Sequence, residues 1–455
     1  MRFHYSNKNM EYQNLIPTLI NSYSNFFNIP TGKYESNGSI KTITFQVTEN
    51  CNLCCTYCYQ INKSENRMSF ETAKAFVDLL IDDSYKKDSY VSLESTTGII
   101  VEFIGGEPLL EIELIDQIVD YFRNKLIMLK HPWCKYFRIS MISNGVLYFS
   151  EEVQRFLKKN QQIISFGISL DGCKELHDAC RIFSDGTGSY ELAVKGCIDY
   201  MQKYDPDMAT KMTFAPENLE YAYDAIVNLI SLGYKIIHCN PIYEDKWTDE
   251  HPKIYYKQLK QIADYLIDND LYSDIFVRAF EDTTCIPLDL KHDNRNYCGS
   301  TGSMLALDYK GDIYPCVRFM KSSLGKNVTP FKIGDVYNGI NITKPDKERV
   351  NLLDSITLTS QSDDECINCP IGQGCGWCTA YNYQVTGTPN KRIKSICGMH
   401  KARALANVYY WNKVYKKGNF DNEPFPMHIP KEWALEIIDE EEYIMLRSLV
   451  DDTED

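Results

Sequence analysis

Thr42-Ile-Thr-Phe-Gln-Val47 runs, three residues later, into Cys51-Asn-Leu-Cys-Cys55-Thr-Tyr-Cys58. The first run alternates and is rich in β-branched residues, which predicts a strand. The second places Cys51, Cys55 and Cys58 at C-x3-C-x2-C spacing on the loop that leaves it. Three thiolates on one short loop can hold three irons of a [4Fe–4S] cluster and leave the fourth iron open. Structural zinc is the rival, but it asks for four ligands in paired C-x2-C spacing. Cys54 falls outside the triple and is expected to be a buried structural thiol.

Further along, strand and helix signals alternate. Strands are predicted at 98–104, 137–142, 163–170, 210–214 and 235–239. Helices are predicted between them at 69–80, 112–129, 151–158, 190–204 and 219–232, the first capped by Ser69. This alternation implies a parallel sheet or βα barrel. Six repeats fall short of the eight in a closed barrel, so the expected fold is α/β, a partial (β/α)6 TIM-like barrel.

Each predicted strand end carries a polar or glycine-rich turn: Gly105-Gly106-Glu107-Pro108, Ser143-Asn144-Gly145 and Ser169-Leu-Asp171-Gly172, with Arg181 following. Ligands of α/β folds bind at these carboxyl ends. Alone, a Gly-Gly pair or an Asn-Gly pair is an ordinary turn. In series at successive strand ends, they mark a site.

Composition narrows the class. Of 455 residues, 44% are hydrophobic and 24% charged, an ordinary globular balance. The net charge of −14 argues against a nucleic-acid binder, which needs a basic face. No apolar run reaches membrane-spanning length, and Met1–Pro17 contains no apolar segment of a secretory signal. A cytoplasmic, reducing setting is therefore expected. In it the 17 cysteines are ligands or thiols, not disulfides.

The C-x3-C-x-aromatic-C loop, with Tyr57 as the aromatic residue, resembles the signature of the radical S-adenosylmethionine (SAM) superfamily. The resemblance implies that Cys51, Cys55 and Cys58 hold the catalytic cluster. It implies that Tyr57, Gly105, Gly106, Glu107, Pro108, Ser143, Asn144, Ser169, Asp171 and Arg181 bind SAM. A second cysteine group, Cys298, Cys316, Cys366, Cys369, Cys375, Cys378 and Cys397, resembles the SPASM extension of these enzymes. By that resemblance Cys366, Cys369, Cys375 and Cys397 hold one auxiliary cluster, and Cys298, Cys316 and Cys378 hold another. Three [4Fe–4S] clusters are then expected. Only Gly376 and Trp377 separate Cys375 from Cys378, one residue fewer than the family pattern. No cysteine lies between Cys298 and Cys316, so the inner cluster has an open iron for a substrate thiolate, or is closed by water or by Cys285.

The expected organisation is a lead-in at 1–39, the partial barrel at 40–240, a helical linker at 241–295, the SPASM domain at 296–400, and a closing helix with an acidic tail at 401–455. Within the tail one helix is predicted near Trp433–Leu449, and Asp439-Glu-Glu-Glu442 reads as a solvated face. By resemblance the protein is a maturase of a ribosomally made, cysteine-containing precursor peptide, of the thioether-forming sactipeptide or ranthipeptide type. Its partners would be that peptide and an electron donor such as flavodoxin or ferredoxin. Residues 1–39 are short for a leader-recognition module, so leader binding falls to a separate protein or to a sheet edge. The acidic net charge favours a basic leader. Alternatives are a peptide epimerase or C–C crosslinking enzyme, an anaerobic sulfatase-maturating enzyme, and an electron-transfer or cluster-carrier protein. The sulfatase-maturating pattern has an aspartate just after the position of Cys316, where this chain has Val317 and Arg318.

Overall fold

The computed structural model describes residues 39–244, 246–281, 285–292, 298–418 and 425–451. The lead-in expected at 1–39 lies, up to Gly38, outside the described residues.

The first strand, β1 (Ser39–Gln46), buries Ile43 and Phe45 completely on one face. Helix α1 (Phe70–Ser84) covers that face. Ser69 caps it, its Oγ accepting from the Thr72 amide at 3.0 Å. Ala73, Phe76, Val77 and Leu80, at helical spacing, are fully buried. Each of the larger side chains contributes about 1.5–3 kcal/mol.

The pattern repeats along the chain. Strand β2 (Thr96–Ile104) leads to α2 (Ile112–Met128), and β3 (Phe137–Ser143) to α3 (Glu151–Asn160). After β4 (Ile164–Ile168) come α4 (Lys174–Cys180) and α5 (Tyr190–Lys203). Then follow β5 (Thr210–Phe214), α6 (Ala222–Ser231), β6 (Ile236–Pro241), α7 (His251–Asp268) and β7 (Phe276–Val277). Strands β1 to β4 pair in parallel, with Ile43 opposite Val101, Val101 opposite Ile139 and Met141 opposite Phe166. Strands β5 to β7 form a second parallel ladder.

Two features depart from one continuous six-stranded barrel wall. Among the described residues β4 and β5 share no ladder. Side chains bridge them instead: Thr210 Oγ1 donates to the Leu170 carbonyl at 3.0 Å, and the Thr213 amide donates to the Asp171 carboxylate at 3.2 Å. The other departure is at β1, which is not an edge. Strand β8 (Met304–Leu307) lies parallel to it, Thr42 opposite Met304, and β9 (Asp312–Tyr314) turns back antiparallel. Two short strands, β10 (Gly334–Asp335) and β11 (Gly339–Ile340), complete an eight-stranded sheet. Strand β8, from the segment beyond residue 296, thus extends the barrel's own sheet.

Beyond the sheet, α8 (Lys344–Asp354), α9 (Asp364–Ile367) and α10 (Thr379–Thr386) punctuate the cysteine-rich segment. Helix α11 (Cys397–Lys416) closes back on α7, where Tyr409 Oη donates to Asp264 at 2.5 Å. The single helix expected near Trp433–Leu449 is two, α12 (Lys431–Ala434) and α13 (Glu440–Asp451). Asp439 starts the second, its carboxylate accepting from the Glu442 amide at 2.8 Å. Nor is Asp439–Glu442 merely a solvated face. The Glu442 carboxylate accepts from Tyr256 Oη at 2.5 Å and from Lys260 Nζ at 2.6 Å, pinning α13 to α7. No described helix is long and apolar enough to cross a membrane.

Candidate functional site

The loop carrying Cys51, Cys55 and Cys58 leaves the carboxyl end of β1, and the Gly105–Pro108 turn leaves β2 beside it. The two are laced together by their backbones. The Gly106 amide donates to the Thr48 carbonyl at 3.1 Å, and the Glu107 amide to the Asn50 carbonyl at 2.9 Å. A Cβ at Gly106 would stand 2.3 Å from the Asn50 oxygen and 2.7 Å from the Cys51 Cβ. The glycines are therefore required by the contact between the two loops, in addition to any approach of a ligand.

Glu107 is the joint of this region. Its buried carboxylate accepts from Ser143 Oγ at 2.8 Å, from the Asn144 amide at 2.8 Å and from the Leu109 amide at 3.0 Å. Burial raises its pKa, and those three donors hold it back. Asn144 in turn donates to Asn52 Oδ1 at 2.7 Å, so the β3 end is tied to the cysteine loop. Pro108 is buried as the first residue of a 3-10 turn.

A second joint forms at Asp171, which is fully buried after β4. Its carboxylate accepts from Tyr57 Oη and, at 2.7 Å, from Arg181 Nε. The Arg181 guanidinium lies 5.4 Å from the centre of the Tyr57 ring. Burial raises the Tyr57 pKa and keeps the phenol a donor. His177 Nδ1 accepts from the Asp171 amide at 3.3 Å, and burial pushes this histidine down to about 4, so it is neutral. Ser169 joins through its backbone, donating to the Ser143 carbonyl at 2.8 Å.

The three cysteines of the loop share one electrostatic neighbourhood. Cys51 and Cys55 each feel Cys58, Lys63 and one another or Glu107. Burial raises both thiols, Cys55 to about 11. Burial opposes the charge of Lys63, but the thiols of Cys58, Cys51 and Cys55 hold its pKa up. Cys54 is exposed, not buried as expected. Its amide is bonded to the Ile182 carbonyl at 2.7 Å, which fixes the backbone while the side chain faces out. Sequence gave no signal for Lys63 or Asn52, because neither belongs to a spacing pattern.

The distant cysteines gather as two sets. Cys316 and Cys378 each have Cys298 and Arg318 as charge neighbours. Cys298 Sγ lies 3.3 Å from both Ser300 Oγ and Thr379 Oγ1. In the other set Cys375 adjoins Cys397 and Cys369, and Cys366 shares Arg392 with Cys375. Burial raises Cys366 to about 11 and Cys375 to about 12. Cys285 is a neighbour of Arg403 and Tyr255. Tyr243 stands between the sets, with Cys378, Cys298 and Cys375 as neighbours.

Buried thiols of raised pKa stay protonated until a metal replaces the proton, so the donor chemistry of all three groups fits iron–sulfur ligation. Among the described residues no three cysteine, histidine or acidic side chains converge on one ion-sized point. A cubane does not ask for that, since it takes one thiolate per iron.

A cavity of about 570 Å³ opens inside the barrel. Strands β3 to β6 line it with Ser140, Ser165, Lys211 and His238. The cysteine-rich segment lines its far side with Gly374 and Gly376, which flank Cys375. Tyr243, which has Cys298 and Cys378 as charge neighbours, also lines it.

Three similarities bear on this arrangement. The chain is 27% identical over 279 residues to a cysteine-type anaerobic sulfatase-maturating enzyme of Clostridium perfringens, covering 58% of this chain and 71% of that one. It is 24% identical over 382 residues to the antilisterial bacteriocin subtilosin biosynthesis protein of Bacillus subtilis, covering 80% and 72%. Its fold matches the structure of native anSMEcpe with bound AdoMet at a TM-score of 0.60 and 18% identity, covering 84% of this chain and all of that one. The family model for the radical SAM superfamily matches residues 45–235 of this chain, from β1 to the threshold of β6.

Proposed function

We propose that the chain matures a ribosomally made, cysteine-containing peptide by forming a thioether between a cysteine sulfur and a carbon of another residue. One observation carries the reading. The barrel cavity is lined by Tyr243, whose charge neighbours include Cys298 and Cys378 of the three-cysteine set with Cys316, and that set has hydroxyls of Ser300 and Thr379 beside Cys298 and no cysteine among residues 299–315. A site of that composition suits an iron that takes its last ligand from a substrate thiol. The similarity to the subtilosin biosynthesis protein supports a peptide substrate.

Cys51, Cys55 and Cys58 would hold the first cluster, and the turns at Gly105–Pro108, Ser143–Asn144 and Ser169–Asp171 would bind SAM, together with Tyr57 and Arg181. When bound, cluster and SAM supply a 5′-deoxyadenosyl radical that removes a hydrogen atom from the substrate. Asp171 and Glu107 are positioning residues: each fixes one strand-end turn to the cysteine loop, so the groups that would meet SAM move as one body. Making the C–S bond breaks one C–H and one S–H bond. A redox partner such as flavodoxin or ferredoxin would donate one electron for the radical; a hydrogen atom goes to the deoxyadenosyl group, a proton leaves the thiol, and bond formation returns one electron. Arg318, beside Cys316 and Cys378, offsets thiolate charge at the inner set.

Mass spectrometry of a co-expressed cysteine-containing precursor, followed by thiol alkylation, tests this reading. The expected product has lost a pair of hydrogens per crosslink, retains its sulfur and has a cysteine that resists alkylation. An unchanged mass means epimerisation, and an alkylatable cysteine with hydrogens lost means a C–C bond; either overturns the thioether.

Sulfatase maturation is the second reading, favoured by the similarity to the Clostridium perfringens enzyme. Against it, the residues after Cys316 are Val317 and Arg318, and Arg318 is engaged by Glu244. Incubation with a cysteine-containing sulfatase peptide decides it: loss of sulfur without a crosslink supports this reading.

A further inference from the structure

Lys211 projects from β5 into the barrel cavity. Its neighbours in sequence, Thr210 and Met212, are buried. Lys211 itself is exposed and lines the cavity. Among the described residues it has no hydrogen bond and no ion pair, and its charged neighbours are Glu102, Arg181, Arg318 and Arg278.

Each of those neighbours is already engaged. Arg181 is paired with Asp171 at 2.7 Å, and Arg318 with Glu244. Arg278 lies 3.9 Å from Glu281. Glu102 accepts from Thr44 Oγ1 at 2.7 Å. Nearby, burial and then the charges of Arg278 and Lys211 lower the pKa of His238. Lys211 is therefore an ammonium in the lumen with no ion pair of its own among the described residues; Glu102 is the carboxylate in its field, and Asp205 and Glu281 line the same cavity.

We propose that the barrel lumen receives a substrate segment through a carboxylate, and that Lys211 is the counter-ion that seats it. The proposal rests on the peptide-maturase reading and names the substrate class: a segment with an aspartate or glutamate close to the modified residue. Desolvation by the surrounding protein lowers the pKa of Lys211, and an arriving carboxylate would favour its charged form. Lysine suits this role, being a compact charge on a flexible stem that can follow a carboxylate in a wide cavity.

The test uses anaerobic, cluster-loaded enzyme and two fluorescein-labelled decapeptide pools. Both have a central cysteine and random flanks. One carries a single aspartate two residues away, and the other an asparagine there. Anisotropy titrations should show the aspartate pool binding about tenfold tighter, the size of one charge-assisted contact. Lys211→Gln should erase the preference, and Lys211→Arg should keep most of it. Equal binding of the two pools by the unaltered protein overturns the carboxylate site but leaves the peptide reading standing. No binding of either pool overturns both. A preference that survives in Lys211→Gln overturns the assignment to Lys211. Titration with SAM alone separates the other carboxylate source: if Lys211→Gln weakens SAM as much as it weakens the aspartate pool, the counter-ion serves SAM and the proposal fails.

Discussion

The phenol of Tyr57 donates to the carboxylate of Asp171, so the cysteine loop that leaves β1 is anchored at the end of β4, across the width of the barrel sheet. Asp171 also neutralises the buried Arg181. Removing it leaves that guanidinium without its partner. Asp171→Ala is expected to cost about 3–5 kcal/mol in anaerobic denaturant titration, the toll of breaking a buried pair. Tyr57→Phe loses only the hydroxyl bond and is expected to cost about 0.5–1.5 kcal/mol.

Gly106 faces the Asn50 carbonyl with no room for a methyl group. Gly106→Ala is expected to force the β2 turn off the cysteine loop, destabilising the fold by about 1–3 kcal/mol. Iron retained after gel filtration should fall with it, by about four per chain. Gly167→Ala is the control, since its Cβ would find an ordinary 3.9 Å neighbour. Equal effects of the two substitutions would contradict the packing argument.

Iron analysis reports on the cysteine sets directly. The reconstituted protein is expected to hold about twelve irons per chain if each set carries a cubane. Replacing Cys51, Cys55 and Cys58 together by alanine should leave about eight and abolish 5′-deoxyadenosine formation. A parent protein with about four irons would contradict the assignment of the two distant sets.

His177 supplies a pH signature. In the fold burial pushes it down to about 4, from an ordinary value of 6.5. The unfolded chain takes up this proton first as pH falls, so the stabilisation is present above pH 6.5 and lost between 6.5 and 4. Thermal midpoints measured across that window should fall with pH, and His177→Gln should flatten the slope. The flattening is partial, because burial also pushes His131 down to about 4.

Much of this was legible in local pattern. Ala73, Phe76, Val77 and Leu80 announce a helix face, and Ser69 announces its start; both depend only on neighbours a few residues apart. What was not legible depended on who sits beside whom. A four-residue strand such as Met304–Leu307 carries no mark of its partner, so its pairing with β1 is invisible beforehand. Cys54 faces outward because Ile182, far along the chain, holds its amide. Lys63, Glu442 and Lys211 are single charged residues, and only the folded arrangement tells a structural one from a solvated one.

The place of β8 beside β1 has a consequence for how the protein is made. Thr42 and Met304 are partners, yet a ribosome releases one long before the other. Until Met304 emerges, the strand that carries the cysteine loop has one bare edge, and bare edges invite pairing with other chains. The sheet beneath the first cysteine set is thus completed only late in synthesis. Stable loading of that set is accordingly an event of the finished chain, and truncation before residue 304 should yield protein that aggregates rather than a smaller active barrel.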